Sequence, residues 1–512
     1  MALRTLLIVP SRVPMHVQEA LLLERAPRSR NVLRIYAQTS FVSLAFGLWQ
    51  GYLLSQYLYV LTPDTRTVGV AMGAQGIVRV FAAVAAGVLV DRCVQRRNTL
   101  LIVCAAYGLV WHAWIATLIV APELVLPRAW QHGWEADAVW AASLAGYGSF
   151  DALQQVLTDA VFADSVATGA RAGPYTRRQL LRQCAGLASP LLQLGYFALV
   201  PNANHWTEAT LRPAMLAGIG AGAVSCLLVA SLDQSRTLGL ASEAAHVEPA
   251  PPPLAPPPLA GVAGAVSDTV AQPLTAAPSA ATAAAAVAEE ERRRFYNAMR
   301  QAGASGPVLN IVEASEAAQS GSPTVETAAS AARVRWLILL YDLLRVCSGG
   351  LVLKFIGLFF TNTFGVSPVS LALLQLGCVL SMISLTVVAG RLAGRGLRRG
   401  AICLSLLLIC DAANILMATA PSLAVDISAW IVREGSLNAV FGLKKSLMMD
   451  HTPKKSRGRW NAVDSLQSSV WAGTAAAGGF VIHAYGYRAA LAVMSGGFIC
   501  ATLAFAPLAN KR

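Results

Sequence analysis

Along this chain, apolar runs of about twenty residues alternate with short polar stretches. Twelve runs stand out, at 38–61, 68–90, 99–121, 138–161, 179–200, 211–232, 334–360, 368–390, 400–420, 423–446, 462–484 and 487–508. A helix rises about 1.5 Å per residue, so about twenty apolar residues cross a bilayer core roughly 30 Å thick. Each run is therefore expected to be a transmembrane helix, and the chain an all-α integral membrane protein. Six runs precede a long polar gap and six follow it. The expected organisation is a cytoplasmic tail at 1–35, a first six-helix bundle at 36–232, a linker at 233–333, a second bundle at 334–508 and a short tail at 509–512.

The polar stretches test the count independently, because loops on the cytoplasmic side of a membrane are enriched in Lys and Arg. The second–third loop carries Arg92, Arg96 and Arg97, and the fourth–fifth carries Arg171, Arg177 and Arg178. The eighth–ninth holds Arg391, Arg395, Arg398 and Arg399, and the tenth–eleventh Lys454, Lys455, Arg457 and Arg459. The opposite loops are sparse or acidic, as at Glu123, Glu135 and Asp137. A missed span would invert this pattern downstream. The agreement predicts an even count with both termini cytoplasmic.

Composition strengthens the membrane reading. Charged residues are 13% of the 512 and hydrophobic residues 55%, against about a quarter charged in ordinary soluble domains. The net charge of +13 sits in short clusters between apolar runs, where it suits anionic lipid. No interleaved basic and aromatic stretch suggests a nucleic-acid surface. The nine cysteines form no CxxC pair or Cys/His ligand set, so neither a zinc site nor a disulfide framework is expected. Residues 233–333 hold Pro251-Pro252-Pro253, Pro256-Pro257-Pro258 and an Ala-rich tract. Such a segment has little apolar surface to bury and is expected to be a disordered cytoplasmic linker.

The halves also repeat. Gly87, Arg92 and Arg96, after the second run, align without a gap on Gly390, Arg395 and Arg399, after the eighth. Asp164 precedes Arg171 by seven residues, and Asp450 precedes Arg457 by the same seven. Glycine permits close helix approach in lipid. A carboxylate at a helix end can meet an arginine or a neighbouring helix N-terminus. A single basic loop would only fix topology, but two loop types repeated in register point to a shared architecture.

At these residues the chain resembles the major facilitator superfamily. Gly87, Asp91, Arg92 and Arg96 match that family's G-x-x-x-D-R-x-G-R-R signature, with Val94 at the second glycine and Gln95 at the next basic position. The second copy has Gly394 where the acidic residue would stand. The resemblance covers the chain outside its tails and linker. It implies two six-helix bundles around a central cavity that opens alternately to either side, with Asp91 latching the halves on the cytoplasmic side. It also implies that the first, fourth, seventh and tenth helices line the cavity.

Ionisable residues within spans cost a few kcal/mol each and are functional candidates by default. Candidate cavity residues are Gln50 and Tyr57, seven apart on the first helix, with Arg79, Asp151, Asp342, Arg345, Arg433 and Glu434. Asp342 and Arg345 are three apart and able to pair on one helix face. Lys354 is expected to snorkel outward, and His112 and Asp411 are expected to be packing residues.

The function these features imply is secondary transport of a small polar solute by alternating access, as a facilitator or with a proton as coupling ion. The alternatives are a lipid flippase on the same scaffold and a non-transporting membrane receptor or scaffold. No HExxH, GxSxG or nucleotide-binding loop is present, so an enzyme or ATP-driven pump is not expected. No metal or cofactor is expected. The expected partners are a small-molecule solute and the bilayer, not nucleic acid, and the protein is expected to be a monomer.

Overall fold

The computed structural model describes residues 30–93, 96–124, 134–166, 172–237, 325–451, 470–471 and 473–511. The expected N-terminal tail up to residue 29, most of the linker and the loop holding Arg457 lie outside them. All the described secondary structure is helical. In chain order the helices are α1 (Arg30–Ala45), α2 (Tyr52–Leu61), α3 (Thr65–Arg92), α4 (Arg97–Val120), α5 (Trp134–Asp164), α6 (Ala172–Leu199) and α7 (Glu208–Ala230). The second half has α8 (Val325–Leu353), α9 (Ile356–Phe364), α10 (Pro368–Gly394), α11 (Arg399–Thr419), α12 (Leu423–Asp450) and α13 (Ala475–Phe505).

Seven stretches of the described residues are long and apolar enough to cross a membrane: α3, α4, α7, α8 with α9, α10, α11 and α13. α5, α6 and α12 have the length, at 31, 28 and 28 residues. They carry more charge, such as Asp151 and Asp159 on α5 or Arg433, Glu434 and Lys444 on α12. Burial explains how α12 fits, because key polar residues point inward: Arg433 is 1% exposed and Lys444 3%. The outward surface is apolar instead, with Phe81 72%, Val110 65%, Leu227 58% and Leu503 66% exposed. An apolar exterior over a polar interior suits lipid as the solvent.

Two expected spans are interrupted, and a third break falls between two others. Between α1 and α2 lies a π-turn, Phe46–Gln50, closed by a 2.8 Å bond from the Gly51 N–H to the Phe46 carbonyl. Gly51 itself is non-helical, with φ −67° and ψ −125°. α8 and α9 are separated at Lys354 and Phe355. Within α13, Gly486 adopts φ 81° and ψ 171°, a region that only glycine enters without strain. That break coincides with the boundary expected between the runs ending at 484 and starting at 487.

The packing repeats between halves. α3 packs on α5 as α10 packs on α12. α3 also crosses to α13 of the other half, as α10 crosses to α6. The α3–α13 crossing is close: a Cβ added at Gly69 would lie 2.9 Å from the Ala475 carbonyl oxygen and from the Gly479 Cα. Small residues at such crossings maximise van der Waals contact where lipid gives no hydrophobic drive between helices.

Candidate functional site

α8 and α12 face each other across a cavity of about 260 Å³. Asp342, Arg345, Val346 and Leu353 line it from α8, and Arg433, Glu434, Leu437, Asn438, Phe441 and Lys444 from α12, with Trp471 completing the wall. The α12 positions recur every three or four residues, so they share one helix face. Asp342, 2% exposed, is in direct contact with the Lys444 ammonium and 3.9 Å from Arg345. Arg345 lies over the Phe441 ring at 5.0 Å. Arg433 pairs through Nη1 with Glu434, whose main-chain carbonyl accepts from Asn438 at 2.8 Å. The Arg433 guanidinium also stacks over Trp430 at 4.7 Å and Phe498 at 5.3 Å. Such charge-assisted and cation–π contacts offset part of the desolvation of these ions.

A second charged cluster belongs mainly to the first half. Arg79 of α3 is 3.0 Å from Asp151 of α5 and donates to the side-chain amide oxygen of Gln155 at 2.7 Å. Lys354, at the α8–α9 break, lies within electrostatic reach of both Arg79 and Asp151. It is 7% exposed, with its ammonium 4.7 Å from the Trp471 ring and 5.6 Å from the Phe46 ring. This corrects the expectation that Lys354 snorkels outward: the break turns the side chain into the protein, where aromatic faces and Asp151 receive it. The repeat offset, 390 − 87 = 303, carries Gly51 onto 51 + 303 = 354. The two interruptions therefore occupy equivalent places in the two halves. Paired interruptions of this kind mark binding sites in membrane carriers.

The expected candidates thus fall into two groups, Arg79 with Asp151 and Asp342, Arg345, Arg433 and Glu434 together. Gln50 is buried at the π-turn, beside the Trp49 ring that meets Tyr147 edge-on at 5.0 Å. Tyr57 lies beyond the break at Gly51, on α2. Its hydroxyl donates to the Ile119 carbonyl at 3.4 Å and its ring packs on Trp140. His112 is buried with Nδ1 2.7 Å from the Gly108 carbonyl, and Asp411 is 5% exposed on α11.

The loop motifs are only partly described. Asp91 ends α3, but its side chain, Arg171, Arg457 and the Asp450 side chain lie outside the described residues. Arg92, Arg96 and Arg395 are exposed, and Arg399 donates to Ser446 at 2.7 Å. A Cβ added at Gly87 or Gly390 meets no atom within 4 Å, so neither glycine serves a close helix approach among the described residues. Asp164 pairs with Arg97, at the start of α4.

Sequence reasoning missed Lys444, Asn438 and Trp471. Lys444 had a signal, since eleven residues from Arg433 is three helical turns on the same face.

The halves are tied at the end away from the basic loops. Gln56 of α2 donates to Thr361 of α9 at 3.0 Å, and Thr65 to the Gly479 carbonyl at 3.2 Å. Trp206 donates to the Val366 carbonyl at 2.8 Å, and the Val369 N–H to Asn204 at 3.1 Å. His483 Nδ1 lies 3.3 Å from Asp64. Burial opposes ionisation of Asp64, but its hydrogen bonds and attraction to Arg66, with His483 nearby, hold its carboxyl below the usual range. Both charged clusters lie on the basic-loop side of these ties.

No family model and no curated protein matches the sequence. Solved structures do match in shape. The xylose transporter XylE from E. coli, in an inward-open conformation, aligns with TM-score 0.57 at 10% identity, covering 93% of this chain and 94% of that one. A peptide transporter POT mutant bound to alafosfalin gives 0.57 at 12%, covering 96% and 97%. The nucleoside transporter NupG gives 0.54 at 12%, covering 94% and 100%. These likenesses show that the chain has the fold shared by these transporter structures.

Proposed function

We propose that the protein is a secondary transporter that moves a small polar solute by alternating access. The observation that carries this reading is the charged cavity between α8 and α12, built from ions that a bilayer protein keeps only at a cost of a few kcal/mol each. Ties at one end and a cavity on the other side of them describe one of the two states such a mechanism needs. Rocking of the halves about the cavity would break the ties of Gln56, Thr65 and Trp206 and close the basic end. The basic loops favour the cytoplasmic side for that end and for both termini.

Coupling to protons has a candidate in Asp151. Protonating it would release Arg79 and change the charge that Lys354 meets. Uptake by Asp151→Asn is then expected to lose most of its dependence on a pH gradient; a variant that kept all of it would exclude this residue from coupling.

The direct test is reconstitution. Proteoliposomes containing the protein, exposed to an isotope-labelled metabolite extract, are expected to take up a defined subset of solutes. Asp342→Ala is expected to abolish that uptake. A profile identical to protein-free liposomes would overturn the transporter reading.

A further inference from the structure

The Arg433 guanidinium is unevenly used. Nη1 is engaged by Glu434, whereas Nε and Nη2 are buried and have no hydrogen-bond partner among the described residues. Nε and Nη2 form the side edge of a guanidinium, whose two N–H bonds run parallel. That edge matches the two oxygens of a carboxylate or a phosphate in a bidentate contact. A buried donor left without an acceptor costs about 1–3 kcal/mol, more at a charged group. An arginine 1% exposed on the wall of a cavity, with this edge empty, is thus destabilised until an oxyanion arrives.

Charge balance points the same way. Among the described residues that line the cavity, Arg345, Arg433 and Lys444 stand with Asp342 and Glu434, three cations to two carboxylates. Lys354, whose ammonium lies 4.7 Å from the Trp471 ring, and Arg79 share Asp151, a second excess of positive charge among the described residues. Uncompensated charge in a low-dielectric interior is expensive, and a bound anion removes the imbalance where a neutral or cationic solute does not.

Resting on the transporter reading, we propose that the solute is a small organic anion whose carboxylate or phosphate docks on the Nε/Nη2 edge of Arg433. The second surplus cation, Lys354, makes dianions better ligands than monoanions. The volume of about 260 Å³ lies at the small end for ligand pockets and suits a compact metabolite.

The full-length protein in lipid nanodiscs would be titrated with succinate, glycerol 3-phosphate, acetate, alanine and glucose, following thermal stability and heat of binding. Succinate or glycerol 3-phosphate is expected to bind and stabilise, ahead of acetate, with glucose inert; which of the two binds identifies carboxylate or phosphate. Arg433→Gln is expected to weaken anion binding at least tenfold. Arg433→Lys, which keeps the charge and loses the fork, is expected to weaken it by a similar factor. Glu434→Gln, which adds to the surplus, is expected to tighten it severalfold and serves where the arginine variants fail to fold. Binding of alanine or glucose in preference to the anions would overturn the proposal, as would anion binding unchanged in Arg433→Lys. If proteoliposomes carry a neutral solute and no anion binds, the anion proposal falls and the transporter reading stands. If anions bind at Arg433 and no solute crosses, the reverse holds.

Discussion

Asp342 shows how much of a buried ion pair a sequence can reveal. Its spacing from Arg345 was legible, and the two do face each other at 3.9 Å. Its closer partner is Lys444, 102 residues away on α12, and no local spacing encodes a contact between helices. Removing the carboxylate leaves Lys444 and Arg345 facing each other without an intervening charge. Breaking a buried pair in this way costs about 3–5 kcal/mol, so Asp342→Asn is expected to lower the thermal midpoint sharply. Adding Lys444→Met to Asp342→Asn is expected to restore part of that loss, because the cation facing Arg345 is then gone. Equal midpoints for the single and double variants would show that the two residues are not coupled. Lys354 was misread for a related reason. A lone lysine in an apolar run reads as a snorkelling residue, and what redirects it is a helix break that its apolar neighbours do not announce.

Helices were the most legible elements, because about twenty apolar residues admit few other structures in lipid. The break at Gly486 was legible too, from a glycine between two runs. The π-turn at Phe46–Gln50 was not, since its residues are as apolar as those around it and Gly51 alone is weak punctuation. The α3–α13 crossing lends itself to a test at this scale. A Cβ on Gly479 would lie 2.5 Å from the Thr65 carbonyl oxygen and 3.0 Å from the Gly69 Cα. Overpacking of this kind costs about 1–3 kcal/mol, and the cost falls on the state in which this end is tied. Gly479→Val is therefore expected to shift the population at least severalfold towards the opposite state. Spin labels at Arg66→Cys and Thr363→Cys, both exposed positions, should report a longer distance. An unchanged distance distribution would show that this crossing does not hold the end shut.

For the molecule as a whole, the two-fold pattern of the sequence reappears in the packing, with α3 on α5 and α10 on α12. Each half also reaches into the other, Lys354 towards Asp151 and the tied loops around one another. Contacts within the helical unit itself thus hold the halves together. Deleting 240–322 is expected to leave transport within about twofold of the full chain, measured in proteoliposomes; abolished transport in a correctly inserted variant would assign that segment an essential part. The ties around Gln56, Thr65 and Trp206 carry one more consequence. With that end sealed, a bulky or membrane-impermeant blocker has a single compartment from which to act. Added on the basic side it would compete for the cavity at once; added on the other side it would have to wait for the protein to turn over, and its onset would track the transport cycle and not its own concentration.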